Sequence, residues 1–308
     1  MPVDFIKARL QGVNIPKLTS NKLFKQTRET YIDSDFGECS KLILEYKNLV
    51  ITIYKNKVAI LTGSLHYFYN DGIHNYNNFT FTNLVNTLEE VAELLEIELK
   101  NIVLQNIEFG VNIILPFLVQ NITNNLLIHN KKEFLKPYDF DYRRAQHQRY
   151  WIKIYNKGKQ FNRPENILRV ELKYKKMIDL HKLGLYNCLD LTNKQLHTQL
   201  LAILLEKWSN IMLYDFTIEK EQLKPLEKTK ILQYQNQNYW LNLSNQERQR
   251  QKTKLRYLSI NFGTNIQEEI KALMLLKWNS LFEKCIPNNQ YYKGLINIQK
   301  EFRSNTYI

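Results

Sequence analysis

The spacing of apolar residues changes along the chain, and this change is the strongest constraint on its fold. Up to about residue 178, apolar residues alternate with polar ones in short runs, which is typical of β-strands; beyond Met177 they recur at helical spacing. The sequence predicts strands at 42–54, 58–67, 102–114, 150–157 and 168–174, and helices at 84–99, 194–213, 246–257 and 265–282. We therefore expect an α+β fold with a mostly antiparallel central sheet and covering helices in residues 1–178, followed by an all-helical region in residues 179–308.

The charge balance favours an anionic partner. The chain has 43 Lys and Arg residues against 30 Asp and Glu residues, a formal net charge of +13. None of the nine glycines forms a P-loop or a G-x-G-x-x-G turn, so we do not expect an ATPase or dinucleotide enzyme of the usual kinds. Three widely spaced cysteines, Cys39, Cys188 and Cys285, argue against a zinc site or disulfide framework and favour a reducing, cytoplasmic location. No signal peptide or membrane span is predicted.

Residues 139–176 are the most informative stretch, because they place tyrosines, basic residues and a carboxylate on a predicted hairpin of strands 150–157 and 168–174. Alternation puts apolar residues on one face of this hairpin. The other face carries Lys153, Tyr155, Lys157, Arg169, Glu171 and Lys173. We expect this polar face to be exposed, where it would suit a phosphate backbone.

Four motifs together suggest a family. They are IKIYNK at 152–157, LRVELK at 168–173, GSLHYFYN at 63–70 and NIEFGVN at 106–112. As a spaced set they resemble the rolling-circle replication initiation proteins, in the filamentous-phage gene II/X type and the related plasmid Rep_trans group. The resemblance covers about residues 40 to 180.

The resemblance implies a DNA nickase that opens one strand at a phage or plasmid origin with a tyrosine nucleophile and a divalent metal, Mg²⁺ or Mn²⁺. Such a reaction leaves a 5′-phosphotyrosine and a free 3′-OH for host replication proteins to extend. By the spacing of the plasmid group, Tyr142 matches the nucleophile, although Arg143 to Gln146 replace the small residues that usually follow. Tyr150 and Tyr155 are alternatives; Lys153 and Lys157 flank Tyr155, and their ammonium groups would lower the pKa of its phenol.

Two carboxylates and one histidine are the candidate metal ligands. Glu108 and Glu171 interrupt otherwise apolar strands, where a charge is costly unless it is used. The resemblance supports both, since the family carries an acidic residue in each motif. His66, which alternates with Ser64 on the predicted strand, is a third candidate; a hydrogen-bonded strand histidine is an equally good interpretation.

Basic residues supply the candidate DNA contacts. Around the hairpin these are Arg143, Arg144, Arg149, Lys153, Lys157, Lys159, Arg163, Arg169 and Lys173, with aromatic residues between them that could stack on bases. In the helical region they are Arg248, Arg250, Lys252, Lys254 and Arg256. This second group either contacts DNA or forms a solvated helix face. The helical region is expected to serve origin binding or self-association, for example as a homodimer.

Two other classes of protein remain open at this point. The first is a non-catalytic origin-binding initiator or regulator, in which Glu108 and Glu171 pair with Lys153 or Arg169. The second is a relaxase-like or transposase-like strand-transfer enzyme, which shares the tyrosine chemistry and differs in the fate of the 3′-OH.

Overall fold

The computed structural model of the chain describes residues 3–35 and 37–282. The strands in this part are β1 (Phe5–Leu10), β2 (Lys25–Asp33), β3 (Gly37–Tyr46), β4 (Leu49–Ile53), β5 (Ala59–Ser64), β6 (Ile102–Ile114), β7 (Leu126–His129), β8 (Lys132–Glu133), β9 (Arg143–Gln146), β10 (Tyr150–Asn156), β11 (Ile167–Tyr174) and β12 (Ile211–Leu213). Cys285, named above, lies outside the described residues.

The helices alternate with these strands at first and then dominate. The α-helices of the described residues are α1 (Ile15–Ser20), α2 (Leu65–Tyr69), α3 (Phe81–Leu95), α4 (Gln120–Thr123), α5 (Lys157–Gln160), α6 (Ile178–His181), α7 (Lys194–Ser209), α8 (Pro225–Tyr234), α9 (Gln237–Asn242), α10 (Asn245–Phe262) and α11 (Ile266–Leu281). Short 3₁₀ turns occupy Leu99–Asn101, Asp190–Thr192 and Lys220–Gln222.

Nine strands form one large sheet in the order β2-β3-β4-β5-β1-β6-β11-β10-β9, and β12-β7-β8 form a small second sheet. The large sheet is antiparallel, and the C-terminal part of the described chain is helical. The predicted α+β class with a mostly antiparallel sheet is therefore confirmed.

The chain divides into two compact units. Of the described residues, the first unit takes 3–110, 172–201 and 281–282, and the second takes 111–171 and 202–280. The assignment of a nickase domain to 1–178 and of a DNA-binding or self-association region to 179–308 stays a prediction.

The first unit contains a strand that the sequence analysis missed. β1 is an interior strand of the large sheet, paired antiparallel with β5 on one side and with β6 on the other. Ile6 on β1 is fully buried together with Leu61 on β5 and Ile107 on β6. Beside these strands, α3 buries Leu84 and Leu88 at helical spacing.

Two turns correct the predicted strands of this unit. The run 42–54 is two strands, β3 and β4, because Lys47 and Asn48 both adopt positive φ (45° and 71°) and form a two-residue hairpin turn. The run 58–67 stops at Ser64, whose hydroxyl accepts a hydrogen bond from the Tyr67 amide and starts α2. Just before it, a Cβ on Gly63 would lie 2.5 Å from the Asn48 carbonyl oxygen, so only glycine fits there.

The second unit has an aromatic core. Trp240 and Tyr234 are fully buried, and they form a cluster with residues of β7, β12, α8 and α10. The Trp240 indole donates a hydrogen bond to the Tyr234 carbonyl oxygen at 2.8 Å, which satisfies its polar atom inside the core. The predicted helix 194–213 is shorter than expected, because α7 ends at Ser209 and the last residues form β12.

Candidate functional site

The carboxylate of Glu171 is the centre of a buried charged cluster in the second unit. Arg169 Nε donates to Glu171 Oε2 at 2.7 Å, and Lys153 Nζ forms an ion pair with Oε1. Arg169 also donates through Nη1 to the amide oxygen of Asn112 at 3.1 Å. The side chains of Arg169 and Glu171 are 0% and 2% exposed. Two cations thus share one carboxylate inside the fold, and the cluster keeps a net positive charge.

This burial corrects the expectation that the polar face of the hairpin is exposed. Alternation on β10 and β11 is as predicted: Ile152 and Val170 lie on the apolar face and are fully buried. Most of the polar face is covered as well, because Arg169 and Glu171 are buried while Lys153 and Lys173 are only partly exposed. Lys157, predicted to end the first strand, is the buried first residue of α5. Sheets that are buried on both faces do not show a simple inside-outside alternation, and here charged pairs replace apolar side chains on the second face.

Electrostatics keep Glu171 ionised. Burial alone would raise the pKa of this carboxyl, but the positive charges of Lys153 and Arg169 outweigh burial and hold its pKa well below the ordinary value. Glu171 is therefore a fixed negative charge at neutral pH. Removing it would leave the guanidinium of Arg169 buried without its counter-charge.

The structure brings Tyr142 and Tyr155 together beside this cluster. The Tyr155 hydroxyl lies 3.5 Å from Glu171 Oε1. The Tyr142 ring stacks on the Tyr155 ring with centroids 5.1 Å apart. Lys157 Nζ lies over the same Tyr155 ring at 5.6 Å and over the Phe161 ring at 4.8 Å.

Both tyrosines are covered. Tyr142 is 6% exposed and Tyr155 is 5% exposed. The rings of Tyr138 and Phe140 pack edge-on against Tyr142, and that of Tyr138 is itself exposed. Entry of a DNA strand would require these two rings to move.

Tyr150 has different neighbours. It stacks on His147 with ring centroids 4.7 Å apart and lies beneath Lys207 Nζ at 5.3 Å.

Glu108 forms a separate ion pair in the first unit. Its Oε1 lies 2.6 Å from Lys173 Nζ, and this ammonium group also sits over the Phe5 ring at 4.9 Å. The Lys173 side chain is 24% exposed, whereas the Arg169 side chain that pairs with Glu171 is fully buried.

His66 is a buried helix residue and not a strand residue, because Ser64 ends β5 and caps α2. Its Nε2 lies 2.5 Å from the Asn77 amide oxygen, and its ring stacks on Phe79. These contacts agree with a hydrogen-bonded histidine held in the core.

The predicted metal ligands do not fit a divalent ion in their present arrangement. Glu108 and Glu171 are both engaged by cations, and His66 by an amide. Over residues 3–35 and 37–282, no group of three or more His, Cys, Asp or Glu side chains is placed to hold a metal ion. A requirement for Mg²⁺ or Mn²⁺ stays a prediction of the sequence resemblance.

The predicted DNA contacts around the hairpin fall into two groups. Arg143 is buried and donates to the Tyr142 carbonyl oxygen at 3.0 Å and to the Asn124 amide oxygen at 2.9 Å, so its contacts are structural. The guanidinium of Arg144 lies 4.4 Å from the Trp151 ring centroid. The exposed residues are Arg149, Lys159 and Arg163. The last two border a cleft of about 330 Å³ whose walls also include Asp141 and Glu165.

The basic segment of α10 divides in the same way. Arg248 is buried and donates to the carbonyl oxygens of Trp240 at 2.8 Å and Leu243 at 2.5 Å, so it fastens α10 to α9. Lys252 Nζ donates to the Ser209 carbonyl oxygen at 2.7 Å, and burial lowers its pKa. Exposed cations remain at Arg250, Lys254 and Arg256.

Sequence reasoning missed a histidine pair in the second unit. His129 Nδ1 lies 2.6 Å from His147 Nε2, and His129 Nε2 lies 3.1 Å from the Lys207 carbonyl oxygen. Burial, and then the positive charges of His147, Lys207 and Lys252, lower the pKa of His129 to about 3. The two histidines are 18 residues apart on β7 and just beyond β9, so no sequence spacing announces their contact.

Comparison with solved structures gives a structural likeness. No protein-family model and no curated protein matches this chain. A rolling-circle replication initiator protein from Geobacillus stearothermophilus is similar to it, with 12% identity and a TM-score of 0.39 over 73% of this chain and 89% of that one. At this identity and TM-score, the function proposed below rests on the residues of the site. No helix of the described residues is long and apolar enough to cross a membrane.

Proposed function

We propose that this protein initiates rolling-circle replication by nicking one DNA strand at a phage or plasmid origin through a tyrosine. The observation that carries the proposal is the pair Tyr142 and Tyr155 stacked beside Glu171 and its cations. A phenol of ordinary pKa near 10 is a poor nucleophile until nearby positive charge favours its phenolate form. Lys153 and Lys157 supply that charge within the same cluster.

Each group has a distinct role in the proposed reaction. The phenol releases its proton to water, the phenolate oxygen attacks the phosphorus atom, the bond from phosphorus to the 3′ oxygen breaks, and that oxygen takes up a proton from water. The products are a 5′-phosphotyrosine and a free 3′-OH, and the lysines offset the charge that develops on the phosphate. Glu171, whose pKa lies well below its ordinary value, is too weak a base to take the phenol proton, so it orients the tyrosine and its cations.

The test is a nicking assay on supercoiled and single-stranded circular DNA that carries the element's own origin, with Mg²⁺, Mn²⁺ or EDTA. We expect nicked DNA and a protein–DNA adduct that survives denaturation. Tyr142→Phe should abolish the adduct and leave DNA binding nearly intact. If the adduct persists, Tyr155→Phe and Tyr150→Phe identify the nucleophile, with the exposed Tyr186→Phe as the matched control. An adduct that survives the triple variant contradicts the proposal.

A second candidate function is origin binding without nicking. The observation that favours it is the saturation of Glu171, whose two carboxylate oxygens are both held by cations. The same assay separates the two functions: salt-sensitive origin binding with no adduct under any metal condition supports the non-catalytic initiator. In either case we propose DNA and host replication proteins as partners of a cytoplasmic protein.

A further inference from the structure

A surface groove on the C-terminal helices has an apolar floor and basic edges. It lies between α8 and α10 in the second unit, and its volume is about 660 Å³. Leu226, Tyr234, Tyr257 and Leu258 supply its apolar surface. Leu226 is 83% exposed, and Tyr257 is also exposed. Large apolar side chains left in water beside one another are typical of interaction sites.

The groove is long enough to hold a helix. On α8 the lining residues run from Leu226 to Tyr234, about two turns apart, and on α10 they run from Thr253 to Leu258. With a rise of about 1.5 Å per residue, the stretch of α8 from Leu226 to Tyr234 gives a wall of about 12 Å. A docked amphipathic helix would place two successive turns of apolar side chains against such walls.

The charges around the groove are one-sided. Lys230 lines one wall and Lys254 lines the other, and Arg250 lies one helical turn before Lys254 on the same face of α10. In the part of the chain that the structure describes, no carboxylate forms an ion pair with any of these three. Glu227, the one acidic residue among the lining residues described, accepts a hydrogen bond from the Lys224 amide and so serves the start of α8.

We propose that this groove binds an acidic amphipathic helix of another protein. Its apolar floor favours protein over nucleic acid, because DNA-binding surfaces are predominantly polar and positively charged. The basic edges favour an acidic partner over a second copy of this chain, which carries a net charge of +13. The proposal is independent of the nicking reaction, since none of the groove residues belongs to the tyrosine cluster.

The test uses the full chain and a fluorescent 16-residue helical peptide with leucines at i, i+3, i+4 and i+7 and Glu or Asp elsewhere. We expect saturable binding by fluorescence anisotropy. Leu226→Asp should weaken it at least about tenfold, because it puts a like charge in the apolar floor. Lys230→Glu with Lys254→Glu should weaken it by a similar factor and reduce its salt dependence. Leu23→Asp and Lys22→Glu, at exposed positions in the first unit, are the matched controls and should bind as the unaltered protein does.

Each contrary result overturns the proposal. Equal binding of a peptide with lysines in place of the acidic residues, or of a scrambled acidic peptide, would remove the claimed specificity. Unchanged binding by the groove variants would place the peptide elsewhere. Displacement of the peptide by an origin-free DNA duplex, with parallel loss of duplex binding in the groove variants, would make the groove a DNA surface. A change in sedimentation of Leu226→Asp from dimer to monomer would assign the groove to a second copy.

Discussion

Glu108 and Glu171 look alike in the sequence, since each is a single carboxylate within an apolar strand, yet the fold uses them differently. Glu171 is held by Arg169 and Lys153, and the Arg169 side chain is fully buried. Glu108 is held by Lys173, whose ammonium group lies over the Phe5 ring and whose side chain is 24% exposed. The difference shows that the free-energy cost of burying a carboxylate in an ion pair depends on how far its cationic partner is also removed from water.

The same reasoning explains a third carboxylate, Glu269 on α11. Within residues 3–35 and 37–282 no cation forms an ion pair with it; burial, and then the negative charge of Asp215, raise the pKa of Glu269 to about 7. Glu171 keeps its charge because cations surround it, whereas burial beside Asp215 makes Glu269 hold its proton to a higher pH than an ordinary carboxyl does. Burial acts on both in the same direction, so the neighbours decide the outcome.

The largest effect is expected for Glu171→Gln. The change leaves the buried guanidinium of Arg169 without a counter-charge, which should lower the free energy of unfolding by about 3–5 kcal/mol. Urea denaturation followed by circular dichroism measures it. Glu29→Gln is the control, because Glu29 pairs with Lys41 at the surface and should change the unfolding free energy by less than about 1 kcal/mol. Similar losses of unfolding free energy in Glu171→Gln and Glu29→Gln would contradict the expectation that the buried pair matters more than the surface pair.

A buried group whose pKa differs between the folded and the unfolded chain makes the free energy of unfolding depend on pH. We expect a large dependence for His129, whose pKa burial lowers. The pKa of His129 is about 3 in the folded protein and near 6.5 in the unfolded chain, so its contribution is complete above pH 6.5. As the pH falls from 6.5 towards 3, the unfolded chain takes up the proton first and stability is lost at up to about 1.4 kcal/mol per pH unit.

His129→Gln should flatten this dependence when unfolding free energies are measured between pH 6.5 and 4. His181→Gln, on a half-buried histidine of the first unit, is the control and should keep the original slope. An unchanged slope in His129→Gln would show that the pair with His147 does not set the acid response.

The sequence predicted the parts of the fold that periodicity encodes. The strand 102–114 has the bounds of β6, and 168–174 differs from β11 by one residue. Periodicity did not predict the two-residue turn at Lys47 and Asn48, which divides the predicted strand 42–54 into two strands. It also missed β1, a short strand that lies far in sequence from its partner strands. Such a strand is stabilised by pairing that no local pattern records.

The candidate site was predictable in its members but not in its environment. Alternation placed Lys153, Tyr155, Arg169 and Glu171 on one face, and the structure does bring them together. It could not show that the face is buried, because charged residues normally indicate solvent. The stacking of Tyr142 on Tyr155 is likewise a tertiary contact between residues of different segments.

Glu108→Gln should have a smaller effect than Glu171→Gln, about 1 kcal/mol of unfolding free energy, because Lys173 can turn its ammonium group to water. The same urea experiment measures it, again beside Glu29→Gln. A loss of 3 kcal/mol or more would mean that Lys173 is held as firmly as Arg169 and would remove the distinction between the two carboxylates.

The smallest effect on the free energy of unfolding is expected for Arg250, an exposed residue of α10. Buried Arg248 on the same helix is the comparison, and the same pair of variants tests whether α10 contacts DNA. Arg248→Gln removes donors to the Trp240 and Leu243 carbonyl oxygens and should cost about 1–3 kcal/mol of unfolding free energy. Arg250→Gln removes the charge of an exposed side chain and should change that free energy by less than about 0.5 kcal/mol. If the α10 segment contacts DNA phosphates, Arg250→Gln should instead reduce the slope of log binding constant against log salt by about 1. An unchanged slope would make this segment a solvated helix face.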